Sequence, residues 1–295
     1  MVKVWINGKI INEKEASIPI SIQALHYGTG VFESILCFKK KIFRLEDHIA
    51  RFIATWKILN IKTKYSKEDI KKAIIDLIRA NKGDTFYIRL VAFKNSNFTD
   101  FSLNCKDSIL AILLKKFHSS LFIFNMRRRK VKLRLSEWKK ERLYKNFESY
   151  KLSGRYLTHL LIKHEAMKRG YEDSLFLDIN KNVLETTTAN IFFVKDNSFI
   201  TPKSNLIING ITRDTIIEIL KDVDLKVEER KIKASEIKNF NEAFLTSTAY
   251  GILSISSIEN KIFLSNKMTS IVREKYIKIL EGKDNRYYKW LTFIR

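Results

Sequence analysis

A two-part fold mixing helices and strands, α+β or α/β, is predicted for this chain, and three observations predict it. At 295 residues the chain exceeds a minimal domain and suits one large domain or two. Apolar residues recur at period 3.6 in some windows and at period 2 in others, along the whole length. The stretch "KKFHSS" breaks the apolar pattern. It separates a first portion, residues 1–115, from a second, 123–295, with 116–122 as the connection.

The elements follow in order. "VKVWINGKII" carries two apolar runs around Asn7-Gly8, the strongest short hairpin signal. "FRLEDHIARFIATWKIL" places Leu45, His48, Ile49, Phe52, Trp56 and Leu59 at helical spacing. "SKEDIKKAIIDLIRANKG" opens on a capping-box pattern, Ser66 with Asp69, and closes near Gly83. "TFYIRLVAF" and "SILAILL" read as strands. The second portion begins with "LFIFNM" and "KVKLRL" as strands, then a helix from about Leu152 to Lys168. "SLFLDI", "ANIFFV" and "SFITP" read as strands, "GITRDTIIEILKDV" as a helix entered from a glycine turn, "EAFLTST" as a strand, and "SNKMTSIVREKYIKILEG" as a closing helix. No internal repeat or long linker appears, and two prolines and nine glycines do the punctuation.

Composition narrows the function classes. Hydrophobic content of 45% and aromatic content of 12% are enough for a real core. No run of about 18 apolar residues exists, so no transmembrane helix and no membrane partner is expected. "MVKVWINGKIINEKEA" carries charges where a signal peptide needs an apolar segment, which makes the cytoplasm the default location. Cys37 and Cys105 lie far apart without metal-ligand spacing, so neither a metal nor a structural disulfide is expected. The net charge of +23, from 55 Lys+Arg against 32 Asp+Glu, invites a nucleic-acid reading. The charge is spread along the chain, and its densest run, Arg127 to Arg142, contains the alternation of a half-buried strand. No zinc-finger, glycine-rich RNA-binding or helix-turn-helix pattern accompanies it, so nucleic acid is not the expected partner.

Eight stretches carry the chemistry: "HYGTGVFES", "FRLEDHIARF", "FYIRL", the segment around Lys151, "GYEDSLFLDINKNVLETTTANIFFV", "ITP", "NGITRDTII" and "TSTAYGI". In that order they resemble the class IV aminotransferases, pyridoxal-phosphate enzymes of fold type IV. The group includes branched-chain aminotransferases, D-amino-acid aminotransferases and aminodeoxychorismate lyases. "HYGTGVFE" and a tail ending in "WL" plus a few residues are most similar to the branched-chain type. The resemblance implies a small N-terminal α/β domain, a larger C-terminal pseudo-barrel domain, and a homodimer or dimer-based assembly.

Pyridoxal chemistry needs a lysine to hold the cofactor as a Schiff base and to shuttle the substrate's α-proton. Lys151, after the aromatic "NFESY" and before an apolar helix, matches that lysine. The ring nitrogen needs a carboxylate to stay protonated, and Glu185 matches that position. The phosphate needs N–H groups at a helix start, with cations and hydroxyls around them. Ile211, Thr212, Thr248 and Arg51 match these roles. Tyr156 matches the tyrosine at the cofactor's phenolic oxygen, and Asn190 helps orient the cofactor. Tyr27, Phe32, Tyr87, Arg89 and Ala249 match substrate positions. Alternation along "FYIRL" puts Tyr87 and Arg89 on one face.

The resemblance implies transamination of a branched-chain L-amino acid with 2-oxoglutarate, both small-molecule partners. D-amino-acid aminotransferase, aminodeoxychorismate lyase and a basic binding relative of weak activity stay open. The chain departs from the branched-chain pattern on the substrate side. Ser34 stands where glycine usually follows "GVFE", "FES" replaces a Pro-Thr pair, "TTT" follows Glu185 where glycines are common, and no glycine turn is evident in "KNSNFTDFSLNCKD". Arg155 replaces a residue more often Asn, and reads as surface or as a substrate contact. Lys145, Lys163, Lys168 and Arg169 read as solvated, the last three on the wet face of a helix whose dry side carries Leu157, Leu160 and Leu161.

Overall fold

The computed structural model describes residues 2–104, 107–141 and 147–294; Cys105, Arg142 and Lys145, named above, lie outside them. In chain order the strands are β1 (Lys3–Ile6), β2 (Lys9–Asn12), β3 (Gly30–Phe38), β4 (Lys41–Phe43), β5 (Phe86–Lys94), β6 (Ser108–Lys116), β7 (Lys130–Lys140), β8 (Asp173–Asp178), β9 (Val183–Thr186), β10 (Asn190–Lys195), β11 (Ser198–Pro202), β12 (Val227–Arg230), β13 (Glu242–Ser247), β14 (Gly251–Ile258), β15 (Lys261–Ile262) and β16 (Leu291–Phe293). The helices are α1 (Gln23–Tyr27), α2 (Leu45–Ile58), α3 (Lys67–Ala80), α4 (Ser119–Arg128), α5 (Tyr156–Lys168), α6 (Ile211–Asp222) and α7 (Lys267–Leu280).

Two compact units result. The first comprises Met1–Ser119, Lys151–Tyr156 and Leu280–Arg295; the second comprises Ser120–Tyr150 and Leu157–Ile279. The chain thus leaves the first unit after Ser119, a position inside the stretch 116–122, and returns to it twice. The first return carries Lys151.

The first unit is a seven-stranded sheet in the order β16-β4-β3-β5-β6-β1-β2. Asn7 (φ 45°) and Gly8 (φ 92°) turn β1 into β2 as their sequence predicts. Helix α3 starts on the expected box: the Asp69 N–H donates to Ser66 Oγ, and the Ser66 N–H to the Asp69 carboxylate. Helix α2 buries Leu45, His48, Ile49, Phe52 and Trp56 of the expected stripe, whereas Leu59 falls just past its last turn and is half-buried.

In the second unit β10-β13-β14-β7-β8-β9 run side by side, and β9 pairs β10 through Glu185 and Asn190. The six strands therefore close into a barrel, extended by β11 and β12 beyond β10. Leu133, Leu175, Ile191, Phe193, Leu245 and Ile255 are among the residues filling its core. Parallel pairing of β7 with both β8 and β14 places β7 inside the barrel wall; of the expected wet face of "KVKLRL", Lys130 and Lys132 are exposed, but Arg134 is buried and paired with Glu137.

Four further expectations are corrected. Arg155 is not a surface residue: it is 7% exposed. "LFIFNM" is helical, within α4, because Phe122 and Met126 are the buried pair and sit four apart. A six-residue apolar run is too short for its period to decide, and packing overrides the β-preference of phenylalanine. The helix expected from Leu152 starts later: Leu152 is extended, Ser153–Arg155 form a 3₁₀ turn, and α5 begins at Tyr156. The dry side of α5 is also different. It buries His159, Ile162 and Ala166, whereas Leu157, Leu160 and Leu161 are 64%, 66% and 50% exposed. Both trios recur at helical spacing, so the pattern alone cannot choose between them.

Candidate active site

In the first unit the site forms at an open edge of β3. One side of β3 pairs with β5. On the other, the returning chain supplies a short antiparallel bridge, Val31 to Leu152, and the Phe32 N–H donates to the Lys151 carbonyl at 3.1 Å. Behind the bridge, the Gly154 N–H donates to the Gly28 carbonyl at 3.0 Å. Gly28 has φ +65°, and a Cβ there would fall 2.5 Å from the Gly154 Cα, so glycine is required. The backbone on both sides of Lys151 is thereby fixed.

Lys151 is half-buried. Its Nζ lies 5.3 Å from the centre of the Phe32 ring and 5.9 Å from that of Tyr156. Desolvation brings its amine down from the ordinary lysine value to about 8; Arg51 and Arg89 push the same way, while Glu33 and Tyr87 oppose them. Such an amine is partly neutral near physiological pH and therefore nucleophilic.

Successive side chains of a strand point to opposite faces, so Glu33 leaves β3 on the face away from Phe32. Its carboxylate, 1% exposed, accepts from Arg51 Nε and Nη2, both at 2.7 Å, and from the Ser34 N–H at 2.8 Å. His48 Nδ1 lies 3.2 Å from Oε1. Helix α2 presents His48 and Arg51 three residues apart on one face. Burial pushes the Glu33 carboxyl up, but Arg51 and His48 together hold it well below the usual range. Burial lowers the His48 pKa despite Glu33, so the ring is neutral at pH 7 and Nδ1 carries its proton toward the carboxylate.

The other face of β3 and β5 carries Phe32, Ser34, Tyr87 and Arg89. The Tyr87 hydroxyl donates to Ser34 Oγ at 2.7 Å, and Arg89 Nη2 donates to the Tyr87 oxygen at 3.3 Å. The Arg89 guanidinium lies 4.3 Å from the Phe32 ring centre, and Phe32 meets Tyr156 edge-on at 4.7 Å. Lys151, Phe32, Tyr156, Tyr87, Arg89 and Arg51 are thus gathered in one unit. Tyr27 is placed differently: it is 46% exposed, and its hydroxyl donates to the Phe98 carbonyl at 3.0 Å.

In the second unit, Glu185 and Asn190 are cross-strand partners where the barrel closes. Glu185 Oε1 accepts from Lys140 Nζ at 2.8 Å; Oε2 accepts from Asn190 Nδ2 at 3.2 Å and from the Ile208 N–H at 3.1 Å. Asn190 Nδ2 also donates to the Ile208 carbonyl at 2.9 Å. Gly210 caps α6, whose first residues are Ile211 and Thr212. The first-turn N–H groups have no carbonyl behind them within the helix, and they mark its positive end. Thr246, opposite Asn190 on β13, has a buried hydroxyl with no hydrogen-bond partner among the described residues. Thr248 is half-buried and Ala249 exposed, both in the turn after β13.

Residues 30–258 match the family model for amino-transferase class IV. The chain belongs to the class IV aminotransferases. Among relatives of this aminotransferase, a probable branched-chain-amino-acid aminotransferase of Rickettsia bellii is 34% identical over 95% of this chain and 96% of its own. The branched-chain-amino-acid aminotransferase of Escherichia coli K12 is 26% identical over 98% and 96%. A branched-chain aminotransferase from Thermoproteus uzoniensis, solved with norvaline, superposes with a TM-score of 0.93 at 29% identity, over 100% of this chain and 99% of that one.

Class IV aminotransferases use pyridoxal 5′-phosphate, and this aminotransferase has residues that fit it. A carboxylate sits among hydrogen-bond donors, the start of α6 has no side-chain cap, and the Thr246 hydroxyl has no partner among the described residues. A Cβ on Gly210 would lie 2.1 Å from Asn190 Oδ1. Gly210→Ala therefore turns Asn190 away from Glu185. Its expected result is about tenfold weaker binding of pyridoxal phosphate, worth roughly 1.4 kcal/mol, checked by titrating cofactor-free protein.

Four contributors escape sequence reasoning as site residues. Glu33 leaves a signal, being the one acid inside the apolar run "GVFESILCF". His48 lies on a buried helix stripe and reads as core. Ser34 shows only as a departure from glycine. Lys140 is hidden in a lysine- and arginine-rich stretch and leaves no signal at all.

Proposed function

We propose that this class IV aminotransferase moves the α-amino group of a branched-chain L-amino acid (leucine, isoleucine or valine) to 2-oxoglutarate. Lys151 anchors its pyridoxal 5′-phosphate. The observation that carries the reading is Lys151 itself, pinned at the edge of β3 with its amine brought down to about 8. The relatives' branched-chain activity and the apolar faces of Phe32 and Tyr156 support the substrate class.

Bound pyridoxal phosphate supplies the electron-accepting ring that lets a proton leave the substrate's Cα. Lys151 Nζ would hold the cofactor and, when free of it, would take up the Cα proton. Tyr156 would support the cofactor's phenolic oxygen. Glu185, oriented by Lys140, Asn190 and the Ile208 N–H, would keep the ring nitrogen protonated. Ile211, Thr212, Thr248 and Arg51 would bind the phosphate. Arg89 offers a guanidinium to a substrate carboxylate, and Tyr27, Phe32, Tyr87 and Ala249 line the substrate.

The reading includes a homodimer or dimer-based assembly in the cytoplasm. The exposed Leu157, Leu160 and Leu161 on α5 support the assembly. No helix among the described residues is long and apolar enough to cross a membrane.

A panel of leucine, isoleucine, valine, D-alanine and aminodeoxychorismate tests the activity. Turnover of the three branched-chain amino acids with 2-oxoglutarate is expected, with none on D-alanine. Turnover on D-alanine but not on leucine overturns the reading.

A further inference from the structure

Ser34 occupies a position where the branched-chain type usually has glycine. Ser34 and Arg89 are direct cross-strand partners, and Tyr87 lies two residues from Arg89 on the same face. A phenol has one proton to give, and that of Tyr87 goes to Ser34 Oγ at 2.7 Å. The same phenolic oxygen accepts from Arg89 Nη2 at 3.3 Å. Arg89 in turn stacks on Phe32, 4.3 Å from its centre, and Ser34 is only 5% exposed. Glycine would leave the Tyr87 proton without this acceptor and the ring without this support.

We propose that Ser34 is a specificity-determining positioning residue: its hydroxyl holds the Tyr87 phenol, and through it the Arg89 guanidinium, as one fixed wall for the amino-acid substrate. The inference rests on the reading above that this face meets substrate. With its proton committed to Ser34, Tyr87 acts as a shaped surface, and Arg89 remains the group that attracts a carboxylate. Ser34 therefore governs how tightly a leucine-sized ligand is held, and it reaches Lys151 only through Tyr87 and Arg89, whose effects on the amine oppose each other.

The test is a double-mutant cycle on the cofactor-loaded enzyme with Ser34→Ala, Tyr87→Phe and the pair combined. One readout is steady-state kinetics with leucine. The other is the Kd of 4-methylvaleric acid, a leucine-shaped acid without an amino group, found in complex with a solved branched-chain aminotransferase relative. Ser34→Ala is expected to raise KM and Kd about threefold to tenfold, the worth of one neutral hydrogen bond, with kcat within twofold. Tyr87→Phe raises Kd by a similar factor, the Kd of the double variant is no higher than that of either single one, and Ser34→Thr restores most of the affinity. Effects that multiply, an unchanged Kd in Ser34→Ala, or a loss confined to kcat overturns the proposal. A wild-type enzyme inactive on leucine sinks the substrate reading instead. The cycle is then read with whichever amino acid the panel identifies, by the same criteria.

Discussion

Lys151→Ala lowers kcat by on the order of a thousandfold or more and removes the visible absorption of bound cofactor. The size of the effect follows from two jobs held by one atom: Nζ is both the point of attachment and the carrier of the Cα proton. The structure prepares it for both. With a pKa of about 8, roughly one amine in ten is neutral at pH 7, against one in a few thousand for an ordinary lysine. Capture of pyridoxal phosphate by the cofactor-free protein should therefore accelerate with pH, reach its midpoint near pH 8 and level off about a unit above, as stopped-flow absorbance would show. The same shift has a stability consequence. Above pH 8 the folded amine is neutral, while the unfolded one stays protonated to its higher ordinary value. The unfolded state then binds more protons, so stability rises with pH across that window. Lys151→Ala removes that rise.

Glu33→Gln costs the protein about 3 kcal/mol, measured by denaturant unfolding. It keeps the shape and removes the charge that holds Arg51 by two hydrogen bonds and faces His48. Breaking one side of a buried pair typically costs about 3–5 kcal/mol; the lower end applies because the Arg51 side chain is 19% exposed and water can reach it. Glu33→Gln with Arg51→Met should recover part of the loss, since no charge is then left unpaired. The folded carboxyl titrates well below its ordinary value. Its contribution is therefore complete above the unfolded pKa and is lost as pH falls through the folded one. The gap between wild type and Glu33→Gln should hold at neutral pH and close only in acid. Glu33 also raises the Lys151 pKa, so in Glu33→Gln the midpoint of cofactor capture moves below pH 8.

Much of this was legible in the residues themselves. Asn7-Gly8, the Ser66–Asp69 box and the stripe of α2 are local signals, and local signals survive folding. The turn at Lys39-Lys40 and the strand β4 behind it carry no such signal: both residues take positive φ, 48° and 58°, without the Gly or Asn that marks such a turn. Two equivalent apolar stripes on α5 hid which one faces inward. The cofactor side was readable because its residues recur in an ordered set of motifs. The supporting charges were not, because their meaning is a distance. Glu33 beside Arg51 and Lys140 beside Glu185 are separated by 18 and 45 positions in the chain, and only folding brings them together.

The central claim is that Lys151, among 55 lysines and arginines, is the covalent anchor. Borohydride reduction of the pyridoxal-phosphate-loaded protein, followed by peptide mass mapping, tests it most directly. A reduced pyridoxyl group on the peptide carrying Lys151 is the predicted result. The same label on a different lysine, or no label on a protein that still transaminates, contradicts it.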